Sequence, residues 1–197
     1  MPKIFLFLLL LLFTTSISAQ YKKADWYVSP KISFADYSDK NDWDGYSISK
    51  IPPVSMAVEY GLNDFLSVGG MFGFNRDKYK NDTISTNLHK YGKVVLGGLA
   101  SVHFAGWIEK WTNYSVFLGD WDFYVTGGVM FEWSSKKETD VWNDELEIYE
   151  NFNDKELKLK LRPAVGVRYF VTDDVSMLLE VGKANLGLVT TGLTLRL

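Results

Sequence analysis

From Leu157 to Tyr169 every odd position is apolar or Pro, while the even positions carry Lys158, Lys160, Arg162, Ala164, Gly166 and Arg168. Successive side chains of an extended strand point to opposite faces, so this segment has one continuous apolar face and one that is charged or small. Wound as a helix, the same residues would bring Leu157, Lys160 and Leu161 together and form no apolar stripe. The period of two recurs over residues 26–35, 54–60, 66–74, 93–104, 123–133, 175–182 and 192–197. These segments make eight strands in an all-β chain. With 197 residues, 47% of them hydrophobic, there is material for one domain with a full core.

The connections alternate as well. Gly61 to Asp64 and Val171 to Asp174 are tight and turn-like, whereas Asp36 to Lys50, Asn75 to Lys90 and Ser134 to Lys155 are long and polar. Short and long links therefore fall at opposite ends of an up-and-down meander. Two links break the rule: Lys183 to Leu186 is short where a long one is due, and Ala105 to Trp121 is long where a turn is due. In the second, Trp107, Ile108 and Trp111 are spaced for one apolar helical face at a membrane interface. An open sheet of this size would leave aggregation-prone edges, so closure into a barrel is the economical solution.

The N-terminus reads as a targeting segment. Met1 to Lys3 is a short basic start, Ile4 to Phe13 is ten apolar residues, and Thr14 to Ala19 is small and polar. That is the layout of a secretory signal peptide over residues 1–19, leaving a barrel domain over 20–197. A membrane-spanning helix needs roughly 20 apolar residues. Aromatic residues gather at two levels, as the girdles of a transmembrane barrel do. Trp26, Tyr60, Phe65, Phe104, Trp107, Trp111, Trp121 and Tyr169 lie near the short-turn end, and Phe34, Tyr37, Trp43, Phe74, Tyr91, Phe131 and Trp133 near the other.

The run from Arg162 to Asp174, followed by Leu179-Glu180-Val181-Gly182 and the closing Gly192-Leu193-Thr194-Leu195-Arg196-Leu197, resembles the last hairpin and final strand of small outer-membrane β-barrel proteins of the OmpX and OmpA transmembrane-domain type. Gly97 to Phe104 is similar to that family's strand ending in an aromatic. The resemblance implies an eight-stranded antiparallel up-and-down transmembrane β-barrel in the outer membrane of a Gram-negative cell. It implies a monomer without cofactor, in contact with lipid and lipopolysaccharide and handled during biogenesis by the outer-membrane assembly machinery. The family ends its last strand on an aromatic residue, often Phe, and Leu197 departs from that pattern. The implied role is envelope structure or surface contact through the long loops, with an extracellular ligand not encoded in any motif.

Alternation does not say which face points inward. With the apolar face toward lipid, the lumen receives Lys31, Glu59, Lys93, Glu132, Lys158, Lys160, Arg162, Arg168, Glu180 and Arg196. Eight strands leave room for side chains and little else, so charges of both signs are expected to pair into a plug. A narrow pore gated by Arg162, Arg168 and Glu132 is the alternative within this fold. Turned the other way, the chain is a soluble carrier of a hydrophobic ligand, as lipocalins are.

Other chemistry is limited by composition. The sequence holds 21 Lys and Arg against 24 Asp and Glu, a net charge of -3, which lacks the basic footprint of a nucleic-acid binder. With no cysteine there is no disulfide, thiolate metal site or thiol nucleophile. Asp39 to Gly45 has the spacing of a calcium loop, but Trp43 takes a ligand position and Lys50 replaces the closing Glu. The glycosylation-like patterns at Asn81-Asp82-Thr83, Asp82-Thr83-Ile84 and Asn113-Tyr114-Ser115 are short enough to occur by chance, and none is assigned. Outer-membrane lipid-modifying enzymes use Ser, His and an acid, and Ser101 lies two residues from His103 on one strand face. That face is inward and near the short-turn end, so a packed lumen histidine is preferred. The loop aromatics Trp43, Tyr46, Trp142 and Tyr149 are the candidate contact residues.

Overall fold

A computed structural model of the chain describes residues 21–36, 46–83, 88–112, 118–143 and 148–197. The expected signal peptide, Tyr37 and Trp43 lie outside them. Eight strands form one closed antiparallel ring in sequence order: β1 (Trp26–Asp36), β2 (Tyr46–Asn63), β3 (Leu66–Asn81), β4 (Leu88–His103), β5 (Trp121–Asn143), β6 (Ile148–Phe170), β7 (Val175–Gly182) and β8 (Gly187–Arg196). Pairing of β1 with β8, from Tyr27 opposite Arg196 to Asp36 opposite Gly187, closes the ring.

The predicted alternation sorts burial in reverse of a soluble protein. Leu96, Val129, Phe131, Leu161 and Leu193 are exposed, whereas Ser29, Glu59, Ser67, Asp122, Arg168 and Glu180 are buried. A chain that turns Leu and Val outward and Arg inward is solvated by hydrocarbon. The apolar faces form a belt around the ring, and the soluble-carrier orientation is thereby overturned. Aromatic pairs edge the belt: Trp26 with Tyr60 and Trp121 with Tyr169, at 5.0 and 4.8 Å between ring centroids, at the turn end, and Phe131 with Trp133 at the other. Tyr91 leaves the expected girdle, because its odd position on β4 turns it inward, where its hydroxyl donates to Glu138.

Strand lengths depart from the roughly 9–11 residues that suffice to cross a bilayer. β5 and β6 run 23 residues each, while β7 has 8. Much of the polar sequence expected as long loops is strand: β3 continues to Asn81, β4 begins at Leu88, β5 reaches Asn143 and β6 begins at Ile148. The ladder persists because the period of two persists. Asn75, Asp77 and Tyr79 stay buried while Arg76 and Lys80 stay exposed, so polar residues replace apolar ones on the outward face without breaking register. Polarity, which suggests loops in the sequence, here marks only where the belt stops.

The two irregular links have physical reasons. α1 (Ala105–Trp111) occupies the long one, as its spacing predicted. Trp107 and Trp111 are exposed on one face, and Ala105 and Glu109 are buried on the other. Trp107 packs on Phe65 and Phe104 at the turn-end rim. The short link 183–186 begins after Gly182, whose φ of 144° lies in a region that side-chain-bearing residues avoid. It then turns into the barrel, burying Ala184, Asn185 and Leu186.

The inverted arrangement predicts that Val129→Arg, placing a charge on the lipid face, destabilises the folded barrel by about 2–4 kcal/mol. Urea unfolding from lipid vesicles, followed by tryptophan fluorescence, measures it.

Candidate functional site

The inward faces assemble one polar network across seven strands, β1 to β7. In its turn-end half, Lys31 Nζ donates to Glu180 Oε1 at 2.7 Å, and Tyr124 OH and Asn185 Nδ2 donate to the same carboxylate. Arg168 pairs with Glu59 through Nη2 and stands 3.5 Å from Asp122 through Nη1. Ser101 donates to Glu59 at 2.8 Å. The Arg168 guanidinium carbon lies over the Tyr124 ring, 4.4 Å from its centroid, close enough for a cation–π attraction. Room for that ring comes from Gly166, where a Cβ would sit 2.3 Å from Tyr124 Cζ. Five ionic groups, Lys31, Glu59, Asp122, Arg168 and Glu180, thus share one enclosed cluster, each charge facing an opposite one.

Beside it runs a relay. His103 Nδ1 donates to Asp122 at 2.9 Å, and its Nε2 lies 3.1 Å from Ser67 Oγ. A serine, an imidazole and a carboxylate in this order have the connectivity of a nucleophile, base and orienting acid. The serine is Ser67, on the neighbouring strand, and Ser101 instead serves Glu59. Ser67 is fully buried, and the Tyr21 ring stacks on His103 with centroids 3.7 Å apart. In this arrangement the Ser67 hydroxyl is enclosed within the lumen, beside an imidazole covered by the Tyr21 ring. Tyr21 also donates to Leu66 O, and Lys22 N donates to Tyr27 OH, tying the segment before β1 across the turn-end mouth.

Farther along the lumen, Ala57, Met71, Val95, Met130 and Leu186 form an apolar layer. Leu186 comes from the in-turned β7–β8 link, and Arg162 fastens that link by donating to Lys183 O and Asn185 O. Arg162 also pairs with Glu132, which accepts from Lys160 at 2.7 Å. Lys93 lines the same cleft of about 550 Å³ as Glu132, Lys160 and Arg162.

Two of the charges assigned to the lumen from sequence lie at its ends rather than deep inside it. Arg196 is at the turn-end mouth, 3.6 Å from both Asp25 and Asp174. Lys158 is half-exposed and pairs with Glu156, because β6 at that height has passed the closed part of the ring. Sequence reasoning missed Asp122, Ser67, Tyr124, Tyr21 and Asn185. The first three continue the inward parity of their strands, which was the available signal; Asn185 sits in a turn where no period applies. Of the loop aromatics, Tyr149 is exposed on β6, while Trp43 lies outside the described residues, as do the side chains of Tyr46 and Trp142.

Beyond the belt a second cluster lines the inner side of the extended wall. Glu138 accepts from His89 at 3.0 Å, Tyr91 at 2.8 Å and Lys136 at 3.1 Å. Burial raises the Glu138 carboxyl pKa, but these donors outweigh it and hold the group below the usual carboxylate range.

A family model described as the outer membrane protein beta-barrel domain matches residues 5–195. No curated protein matches the chain. Among solved structures, the crystal structure of the outer membrane protein OprG from Pseudomonas aeruginosa matches with a TM-score of 0.48 at 10% identity, covering 91% of this chain and 98% of that one.

The buried pairing predicts strong coupling. Arg168→Met alone leaves Glu59 and Asp122 without their cation and costs about 3–5 kcal/mol, whereas Arg168→Met with Glu59→Gln recovers much of the loss. A double-mutant cycle in urea, on barrels folded in vesicles, reads the coupling.

Proposed function

The chain belongs to the outer membrane protein beta-barrel domain family, and from that premise we propose that it is a monomeric, non-enzymatic barrel that makes contacts at the cell surface through the wall raised by β2 to β6. The observation that carries this reading is the unequal height of the ring. A transmembrane strand needs about 9–11 residues, and β5 and β6 have 23 each against 8 for β7 and 10 for β8. The surplus stands clear of the hydrocarbon. Small barrels of this class keep short turns on the periplasmic side and long segments outside, so the wall projects into the medium.

The wall has a surface suited to contact. β7 pairs with β6 only from Ala164 to Phe170. From Phe152 to Leu161, β6 has β5 along one side and, among the described residues, no ring strand along the other. A row of backbone donors and acceptors at a sheet edge is a template for an added strand of a partner. Lys155, Glu156, Lys158 and Lys160 on this edge oppose indiscriminate pairing. The same charges leave a register-specific partner possible.

The packed lumen supports the non-enzymatic, non-conducting part of the reading: the ion pairs, the apolar layer and the in-turned link occupy the space that a permanent channel would need. Residues 1–19 serve as the export signal of a Gram-negative cell, and the last strand, β8, is the segment offered to the assembly machinery.

Because the chain has no cysteine, single cysteines report exposure cleanly. On intact cells a membrane-impermeant maleimide is expected to label Lys155→Cys and to label Lys23→Cys only after lysis. Removing residues 138–152 is expected to leave a barrel whose unboiled and boiled gel mobilities still differ, while adherence of the expressing cells to surfaces falls several-fold. Unchanged adherence with the shortened barrel folded would contradict surface contact through the wall.

A further inference from the structure

The outward face of the wall is ordered in rows where β3, β4, β5 and β6 lie side by side. At the rim of the belt, Phe74, Val94, Trp133 and Leu157 are successive cross-strand partners. The next outward row is Arg76, Gly92, Ser135 and Lys155, and the one beyond is Lys78, Lys90, Lys137 and Asn153. Apolar side chains thus give way in one step to two rows that hold five cations. Gly92 and Ser135 are small, and Arg76 and Lys155 stand on either side of them. The result is a cleft of about 700 Å³ on the outside of the barrel, with Phe72, Phe74, Val94 and Trp133 in its apolar part and Arg76, Lys90, Lys137 and Lys155 in its basic part.

The charge arrangement calls for an anion. Lys78, Lys90 and Lys137 are direct cross-strand neighbours, and like charges placed so destabilise a sheet. Asp77, Glu132 and Glu138 are turned inward on the same strands. Glu156, the acid in the cleft lining, is paired with Lys158 at 2.6 Å. Among the described residues, Arg76, Lys90, Lys137 and Lys155 make no ion pair.

We propose that this cleft binds a phosphorylated lipid of the outer leaflet, its phosphates held by Arg76, Lys90, Lys137 and Lys155 and an acyl chain laid on Phe72, Phe74, Val94 and Trp133. Height supports the choice of occupant, because cations that begin one row beyond an aromatic girdle sit where headgroups do. A second copy of the chain is disfavoured by repulsion between like basic faces. The proposal rests on the orientation given above, with the extended end outward; the lipid assay below does not depend on that orientation, so the two can fail separately.

The test uses the mature chain folded in detergent, with bound lipid counted by native mass spectrometry. Diphosphoryl lipid A, its monophosphoryl form and phosphatidylethanolamine are the three ligands. The unaltered protein is expected to bind the diphosphoryl form at least tenfold more tightly than phosphatidylethanolamine, with the monophosphoryl form between them. The triple variant Lys90→Gln, Lys137→Gln, Lys155→Gln is expected to lose that preference, and Lys22→Gln with Lys23→Gln, at the turn end, to keep it. Equal binding of the three lipids by the unaltered protein overturns the proposal without reference to any variant. Displacement of the diphosphoryl lipid by equimolar inorganic phosphate, or an undiminished preference in a folded triple variant, also overturns it.

Discussion

A strand in hydrocarbon finds no water for its N–H and C=O groups, and an unsatisfied group there costs several kcal/mol. The ring meets that constraint by pairing β1 with β8, which removes the edges an open sheet would present to lipid. Where β6 rises past Ala164 and loses β7 as a neighbour, the in-turned link takes part of the load: Lys183 N donates to Pro163 O, and Arg162 donates to the carbonyls of Lys183 and Asn185. Once the backbone is closed, the period of two decides everything else. One face must suit lipid, so the other receives whatever charge the chain carries.

The lumen network is the consequence. Burying Glu59, Arg168, Asp122, Lys31 and Glu180 is tolerable because each meets an opposite charge. Such a network does more for register than for net stability, since well-packed apolar replacements can be as stable as a buried ion pair. A slip of one residue in any strand would turn its charged face to the lipid. The ion pairs therefore select one alignment of the ring, and the apolar layer with Leu186 fills what remains.

The eight strands, their antiparallel order and the short-turn end were legible in the sequence because alternation is a local signal that survives without tertiary information. The α1 segment was legible from the spacing of Trp107, Ile108 and Trp111. The height of the wall was not. Between Phe74 and Arg76 the outward face changes from apolar to basic, which reads as a loop if hydrophobicity is the criterion and as continuous strand if parity is. The choice of partners was not legible either. Which carboxylate faces Arg168 depends on the shear of the whole ring, and Ser67 reaches His103 only because β3 and β4 lie side by side. The short link 183–186 breaks the alternation of links in the sequence; its inward turn is held by Asn185 meeting Glu180 and Ser55, contacts that no local pattern announces.

The central claim is that lipid is the solvent of the apolar face. The most direct measurement is refolding of residues 20–197 from denaturant with and without detergent, read by circular dichroism and by the gel mobility of unboiled against boiled samples. β structure that forms only with detergent, with a mobility change on boiling, is the predicted result. A β-rich monomer stable in plain buffer would contradict it, because the apolar belt would then have to be buried rather than solvated by lipid.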